Sequence, residues 1–267
     1  MTETLFDPLF RLPLLTGLLL AGLLPMLGAL AMLREEWLAA LGLAHLASAS
    51  ALLGQALGVP AVVGATLGAL GGGAIKTFLS ARGNIAYGFM ILAGWSATLL
   101  IGANTALGEQ LAQALVEGQI YFAGLTELIA GLLLLALCIR TLPRLMQPVL
   151  RARFFPRYET ANQLPAWRWH LGLDLLTAGG LAIGTLTLGL MGAFALVLIP
   201  AWITFRLAPS WRWTLIGASL TGVAGYLLAF VAALELDQPF GPMLVGVLLG
   251  MTLLVRSLER SRPMQLD

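Results

Sequence analysis

Charge is scarce in this chain. Of its 267 residues, 10% are Asp, Glu, Lys or Arg and 59% are hydrophobic, whereas globular domains carry roughly a quarter charged residues. No water-soluble fold of this size has interior enough to hide that much apolar surface. Cysteine is scarcer still. A single Cys138 excludes an internal disulfide and any thiolate metal cluster, and it reads as a packing residue. Histidine occurs only at His45 and His170, too few for a histidine–carboxylate metal motif. No nucleophile elbow and no paired intramembrane carboxylates are evident. The G-x-x-x-x-G-K-[ST] phosphate loop is missing as well. Its nearest approach, "GALGGGAIKT" ending at Thr77, sits inside an apolar run with the wrong spacing. An enzyme is therefore not expected, and a net charge of +2 gives no sign of a nucleic-acid partner.

What is present is a series of long apolar runs. A spanning helix needs about 20 mainly apolar residues. In lipid, only helices and closed barrels satisfy their backbone, and these runs are too long for barrel strands. The expected class is all-α, a polytopic transmembrane helical bundle forming one domain over 1–267. Eight to nine spans are expected, near 12–33, 38–58, 60–80, 84–107, 119–140, 170–190, 192–208, 212–234 and 239–257. The start, "MTETLFDPLFR", has no basic region ahead of its apolar run, so 12–33 reads as a retained span rather than a signal peptide.

The charges alternate along the chain. Arg34, Arg82, the arginines of 140–168, Arg206 with Arg212, and the tail with Arg256, Arg260 and Arg262 fall in every second connection. The others hold "GQALGVP", Glu109 and Glu117, the turn near Gly189, and Glu235 with Asp237. Of fifteen basic residues only Arg11 lies on the acidic side. The positive-inside rule then predicts an N-terminus outside and a C-terminus in the cytoplasm. Trp37, Trp167, Trp169, Trp211 and Trp213 gather at the basic ends of spans, as an interfacial aromatic belt does. Gly64, Gly68 and Gly72 recur at every fourth position, as do Gly180 with Gly184 and Gly246 with Gly250. Such spacing lets helices in lipid approach closely.

The 141–169 connection, "TLPRLMQPVLRARFFPRYETANQLPAWRW", is the one long polar segment. It is too short for a catalytic domain. Its prolines isolate "VLRARFF", which reads as a short amphipathic helix lying on the bilayer surface or docking into a cytoplasmic partner. Within the spans, ionisable and polar residues default to functional candidates. His45 shares a helix face with Ser48 and Gln55. It is either a transient ligand in a transport path or an interhelical hydrogen-bonding group. Neutral imidazole suits zinc better than manganese. Glu127 falls in the fifth span, close enough to its outer end to be solvated, and Asn104 near the end of the fourth. Lys76 is expected to snorkel to the interface. His170 and Asp174, one turn apart, read as a local hydrogen-bonded pair.

Two stretches carry more than composition. One is "GLMGAFALVLIPAWITFRLAPSW", from Gly189 to Trp211, and the other is "LELDQPFGPMLVGVLL". Together they resemble the zinc/manganese (ABC-3) family of ABC transporter permeases. That family has a V-G-A-L-L-V-x-A-L-L-x-I-P-A-A-x-A-R region, followed here through Gly192, Ile199, Pro200, Ala201 and Arg206. Its last external loop, D-x-P-x-G-P, matches Asp237, Pro239, Gly241 and Pro242. Its second helix carries D-x-x-x-H-A-x-x-P-G, where this chain has Ala44 and His45 within "LREEWLAALGLAHLASASALLG". Leu41 stands at the aspartate position, Ala49 and Ser50 at the proline and glycine, and Leu92 near a histidine of the fourth span.

The resemblance implies a multi-pass permease in a bacterial cytoplasmic (inner) membrane, importing zinc or manganese by alternating access. It implies a homodimer with an extracytoplasmic substrate-binding protein and a cytoplasmic ATP-binding subunit that uses the ATP, so no cofactor is bound by this chain itself. His45, Ser48 and Glu127 would then border the translocation path, with His45 the candidate metal contact. Arg151, Arg153, Phe154, Phe155, Arg157 and Glu159 would meet the ATPase. Asp237 and Pro239–Pro242 would shape the outer entry. An ion-coupled secondary transporter of a small solute is the alternative, although no inverted repeat is visible. A membrane scaffold without transport is the third.

Overall fold

The computed structural model describes residues 8–79, 83–105, 108–155 and 157–260. Arg82 and Arg262, counted above on the basic side, lie outside the described residues. The described chain is helical, with no strand among the described residues. In order the helices are α1 (Pro8–Leu33), α2 (Trp37–Ala56), α3 (Ala61–Phe78), α4 (Asn84–Ala103), α5 (Gly108–Glu117), α6 (Leu125–Phe154), α7 (Tyr158–Ala161), α8 (Trp167–Leu188), α9 (Leu190–Leu207), α10 (Trp211–Leu236) and α11 (Phe240–Arg260). Among the described residues, nine helices, all but α5 and α7, are long and apolar enough to cross a bilayer.

Four boundaries differ from the expected spans by four residues or more: the first span begins at Pro8 rather than 12, the fifth at Leu125 rather than 119, and the fourth and fifth end elsewhere. The fourth span stops at Ala103 rather than running to 107. Asn104 donates to the Leu100 carbonyl at 2.8 Å and Thr105 Oγ1 to that of Ile101 at 2.8 Å. These side chains answer carbonyls that a helix end leaves open. The amphipathic α5 follows, too short to span. It ends at Gly118, φ 87°, and a 3₁₀ turn at Ile120–Phe122 leads to α6. Gly118 and Gly189, φ 81°, lie back to back. A Cβ on Gly189 would stand 2.6 Å from the Gly118 nitrogen, so both the backbone angle and the contact require glycine there.

The fifth span runs on to Phe154, not to 140. Thirty residues at 1.5 Å each give about 45 Å, against a hydrocarbon core of about 30 Å. The last turns of α6 therefore project beyond the bilayer. Pro143 and Pro148 lie inside this helix without ending it. Each removes one N–H, freeing one carbonyl, a loss that water covers where the helix leaves the lipid. The expected separate "VLRARFF" helix is thus the last turns of α6 with Phe155 as its C-cap, and among the described residues the connection to α8 holds the single-turn α7.

In the packing, α2 is embraced by α3, α4 and α8, while α1 is held by α9 and α10. The α2–α3 contact is close because α3 presents its glycine stripe to α2. A Cβ on Gly72 would lie 2.5 Å from the Leu46 side chain, and one on Gly64 or Gly68 would overlap Ser50. Gly246 and Gly250 differ: a Cβ there meets nothing within 4 Å, so that pair does no packing inside the protomer. Cys138 is fully buried.

Candidate functional site

His45 lies mid-way along α2 and is 3% exposed. Its ring meets Trp95 of α4 edge-on, centroids 5.4 Å apart. Gly94 makes that approach possible, since a Cβ there would sit 2.6 Å from the His45 carbonyl carbon. Nδ1 of His45 and Oγ of Ser48 are buried with no hydrogen-bond partner, so Nδ1 makes none of the interhelical bonds that one reading expected. Leu92, 62% exposed, and Trp95, 40% exposed, stand one turn apart on the outward side of α4. The imidazole is thus one aromatic ring away from the protomer surface. Among the described residues no group of three or more His, Cys, Asp or Glu is placed to hold a metal ion. Ala49 and Ser50, where the related motif bends, lie in an unbroken α2.

The most conspicuous polar feature lies at the basic end of the same helices. Lys76 Nζ donates to both oxygens of Asp174 at 2.8 Å and to Glu36 Oε2 at 2.8 Å. Arg34 reaches Asp174 Oδ1 at 2.9 Å and pairs with Glu36 as well. Thr77 Oγ1 donates to Asp174 Oδ2 at 2.7 Å. Arg34, Asp174, Lys76 and Glu36 therefore close a four-membered ring of alternating charge, joining the α1–α2 turn, the last turn of α3 and the second turn of α8. All four side chains are at most 10% exposed. The ring corrects two expectations. Lys76 does not snorkel, because two carboxylates in the interior are nearer than the interface. Asp174 is held by Lys76 from α3 and by Arg34 from the α1–α2 turn, while His170 lies beside Glu159. Glu36 and Asp174 come together from distant parts of the sequence, Asp174 from within a span and Glu36 from the turn before one. The signal was an ionisable residue on each of two apolar spans; Glu36, read as loop, supplied no clue.

The basic segment at the end of α6 and just beyond it is tied to this ring. Arg153 pairs with Glu35 at 2.5 Å, the residue between Arg34 and Glu36. Glu159 accepts from Trp169 Nε1 at 2.7 Å and lies 3.7 Å from His170 Nε2, one helical turn before Asp174. Arg151 stacks over Tyr158 at 4.8 Å. Phe154 and Phe155 are 70% and 64% exposed, and with Arg157 and Tyr158 they line an open hollow of about 530 Å³. A second cavity of about 250 Å³ is bounded by Arg34, Glu36, Arg153, Glu159 and His170. Trp169, expected only to anchor the interface, thus has a specific partner.

At the opposite end, a cavity of about 140 Å³ is lined by Gln55, Gln119, Glu127 and Thr187 among apolar groups. Glu127 is in the first turn of α6 and accepts from the Gly124 N–H at 2.9 Å, so it belongs to the acidic rim rather than mid-membrane. The two motif stretches meet nearby. A Cβ on Gly192 would come within 3.6 Å of Gly241 Cα. Asp237, φ 49°, closes α10, and the Pro239 carbonyl accepts from Met243 N at 3.3 Å, with Pro242 following in the first turn of α11. Pro200 is buried in α9 and its carbonyl accepts from Thr204 Oγ1 at 2.9 Å.

The sequence pattern of the ABC 3 transport family matches residues 7–259. The fold is similar to that of PsaBC from Streptococcus pneumoniae, solved in complex with Fab, with a TM-score of 0.81, 17% identity, and coverage of 95% of this chain and 93% of that one. It is also similar to a protein described as a metal-chelate type ABC transporter in an inward-facing conformation, with a TM-score of 0.74, 14% identity, and coverage of 96% and 88%. No curated protein matches the chain.

Proposed function

This chain belongs to the ABC 3 transport family and is a membrane-spanning ABC transporter permease; from that premise we propose that it imports a divalent metal ion, zinc or manganese, across a bacterial cytoplasmic membrane. The observation that carries the reading is the family match over 7–259. Transport follows alternating access, driven by ATP hydrolysis on a separate cytoplasmic subunit. A substrate-binding protein delivers the ion to the acidic end, where Glu127 and the amides of Gln55 and Gln119 offer oxygen donors. Hard oxygen ligands suit manganese, while an imidazole suits zinc.

His45 supports a path along the α2–α4 side. It is a buried imidazole with an unused Nδ1, screened by the half-exposed Trp95. One chain does not enclose that side, and a second copy laid against α4 would. A single imidazole holds the ion weakly, which favours release over retention. The exposed Phe154 and Phe155 with Arg157 form the surface for the ATPase.

The test is reconstitution of the chain with the ATP-binding subunit and binding protein of its own source in sealed vesicles. Accumulation of zinc or manganese that requires ATP and the binding protein is the expected result. Uptake driven by an ion gradient without the ATPase would establish the secondary-carrier alternative. A purified chain that brings down no ATP-binding subunit from its native membrane would overturn the reading.

A further inference from the structure

We propose that the ring of Arg34, Glu36, Lys76 and Asp174 is a latch through which the ATPase-facing segment controls the basic end of the bundle. The inference rests on the permease reading above and deepens it by naming the positioning residues.

Buried ion pairs are poor stabilisers. Well-packed apolar residues in their place are often neutral or better, and the best-attested use of such pairs is to specify one arrangement among several. The ring satisfies that description. Asp174 uses both oxygens, and each carboxylate meets both cations. The four charges sum to zero. When the helices part and water enters, each group is solvated separately. A charged seal thus tolerates both a closed, dry state and an open, wet one. An apolar seal would expose its surface to water in the second state. The space left beside the ring, among Ala40, Leu43, Lys76 and Asp174, is about 10 Å³, at the limit of what one water needs. The seal is dry.

The ring also has handles, on both of its sides. Glu35 is flanked by ring members Arg34 and Glu36, and it is held by Arg153 at the end of α6. His170 and Trp169 precede Asp174 on α8, and they are held by Glu159. Both contacts come from the short stretch that includes the exposed Phe154 and Phe155. A displacement of that stretch pulls on the α1–α2 turn and on α8, which together carry three of the ring's four members. The cavity of about 250 Å³ between segment and ring leaves room for that movement. Lys76 and Thr77 on α3 direct their side-chain hydrogen bonds to Glu36 and Asp174. The motion that opens the latch is therefore a separation of α3 from α8.

The test pins α3 to α8 one turn from the ring. A Cβ placed on Gly73 stands 3.5 Å from that of Ala178, within the span of a disulfide. In a Cys138→Ala background, Gly73→Cys with Ala178→Cys is assembled with the ATP-binding subunit in vesicles and oxidised with copper phenanthroline. The expected result is that uptake and binding-protein-stimulated ATP hydrolysis are both lost on cross-linking and return with dithiothreitol. Full activity in the cross-linked protein overturns the latch. A second variant, Lys76→Met with Asp174→Leu, removes the link across α3 and α8 and leaves Arg34 to pair with Glu36. Its ATP hydrolysis is expected to run without the binding protein, while hydrolysis as dependent as that of the parent overturns the proposal. Both hydrolysis readouts are independent of the cargo. If the parent hydrolyses ATP under binding-protein control but carries no metal, the metal assignment fails and the latch does not.

Discussion

Lys76 and Asp174 face each other across the α3–α8 contact, with the ammonium 2.8 Å from each carboxylate oxygen, inside two helices apolar enough to span a bilayer. Both side chains are buried, Lys76 3% and Asp174 7% exposed. Removing one partner leaves the other buried and unpaired, which costs about 3–5 kcal/mol, whereas apolar replacement of a whole pair is often neutral. Asp174→Leu alone is therefore expected to lower the melting temperature of the purified protein sharply, and Lys76→Met with Asp174→Leu to recover most of it. Additive losses in the two single variants, measured by thermal unfolding in one detergent, would show that the two side chains do not depend on each other.

The glycine stripe of α3 gives a second prediction, with an internal control. A side chain on Gly68 would run into Ser50 of α2. Overpacking of a tight contact costs typically about 1–3 kcal/mol, so Gly68→Val is expected to destabilise the protein by that order. Gly250→Ala faces open space and is expected to leave protomer stability unchanged or slightly raised, as alanine favours helix. Equal melting temperatures for Gly68→Val and the parent would contradict the close α2–α3 approach.

Much of this was legible in the sequence, for a physical reason. Lipid forces each span to satisfy its own backbone, so hydropathy alone located nine helices within a few residues of their observed ends. The misplaced C-terminal ends were those of α4 and α6. There the apolar pattern runs on past Asn104 and the charged pattern past Arg140, while side-chain hydrogen bonds in one case and helix continuation through Pro143 and Pro148 in the other set the boundary. The ionic ring was not legible. Glu36 and Asp174 are 138 residues apart by number, and nothing in spacing says that α2 and α8 become neighbours. His45 was visible as an oddity, but its partner Trp95 was not, because an aromatic residue in a span reads as lipid-facing.

His45 presses on Trp95 and leaves Nδ1 unpaired, so its removal breaks no buried hydrogen bond at that atom. His45→Ala is expected to assemble with the ATP-binding subunit as the parent does and to weaken the apparent affinity for zinc by about tenfold, the equivalent of ~1.4 kcal/mol. Unchanged transport in this variant would remove His45 from the path. A loss of assembly would point instead to its packing beneath Trp95. Metal uptake and co-purification, measured on the same preparation, separate the two.

Glu127 presents the opposite problem, because it has two roles that one substitution confuses. Its carboxylate accepts from the Gly124 N–H at the start of α6 and also borders the outer cavity. Glutamine keeps an oxygen in the capping position, since Glu and Gln both serve there, and discards only the charge. Glu127→Gln is therefore expected to hold the parent's melting temperature while raising the metal concentration for half-maximal uptake. Glu127→Ala loses the cap too and is expected to cost about 1 kcal/mol of stability. If Glu127→Gln takes up metal with the parent's concentration dependence, the negative charge is irrelevant to the ion and Glu127 only starts the helix. The carboxylate then drops out of the path, and among the described lining residues the oxygen donors left are the amides of Gln55 and Gln119 and the Thr187 hydroxyl, which gives its proton to the Ile183 carbonyl at 2.9 Å and keeps its lone pairs.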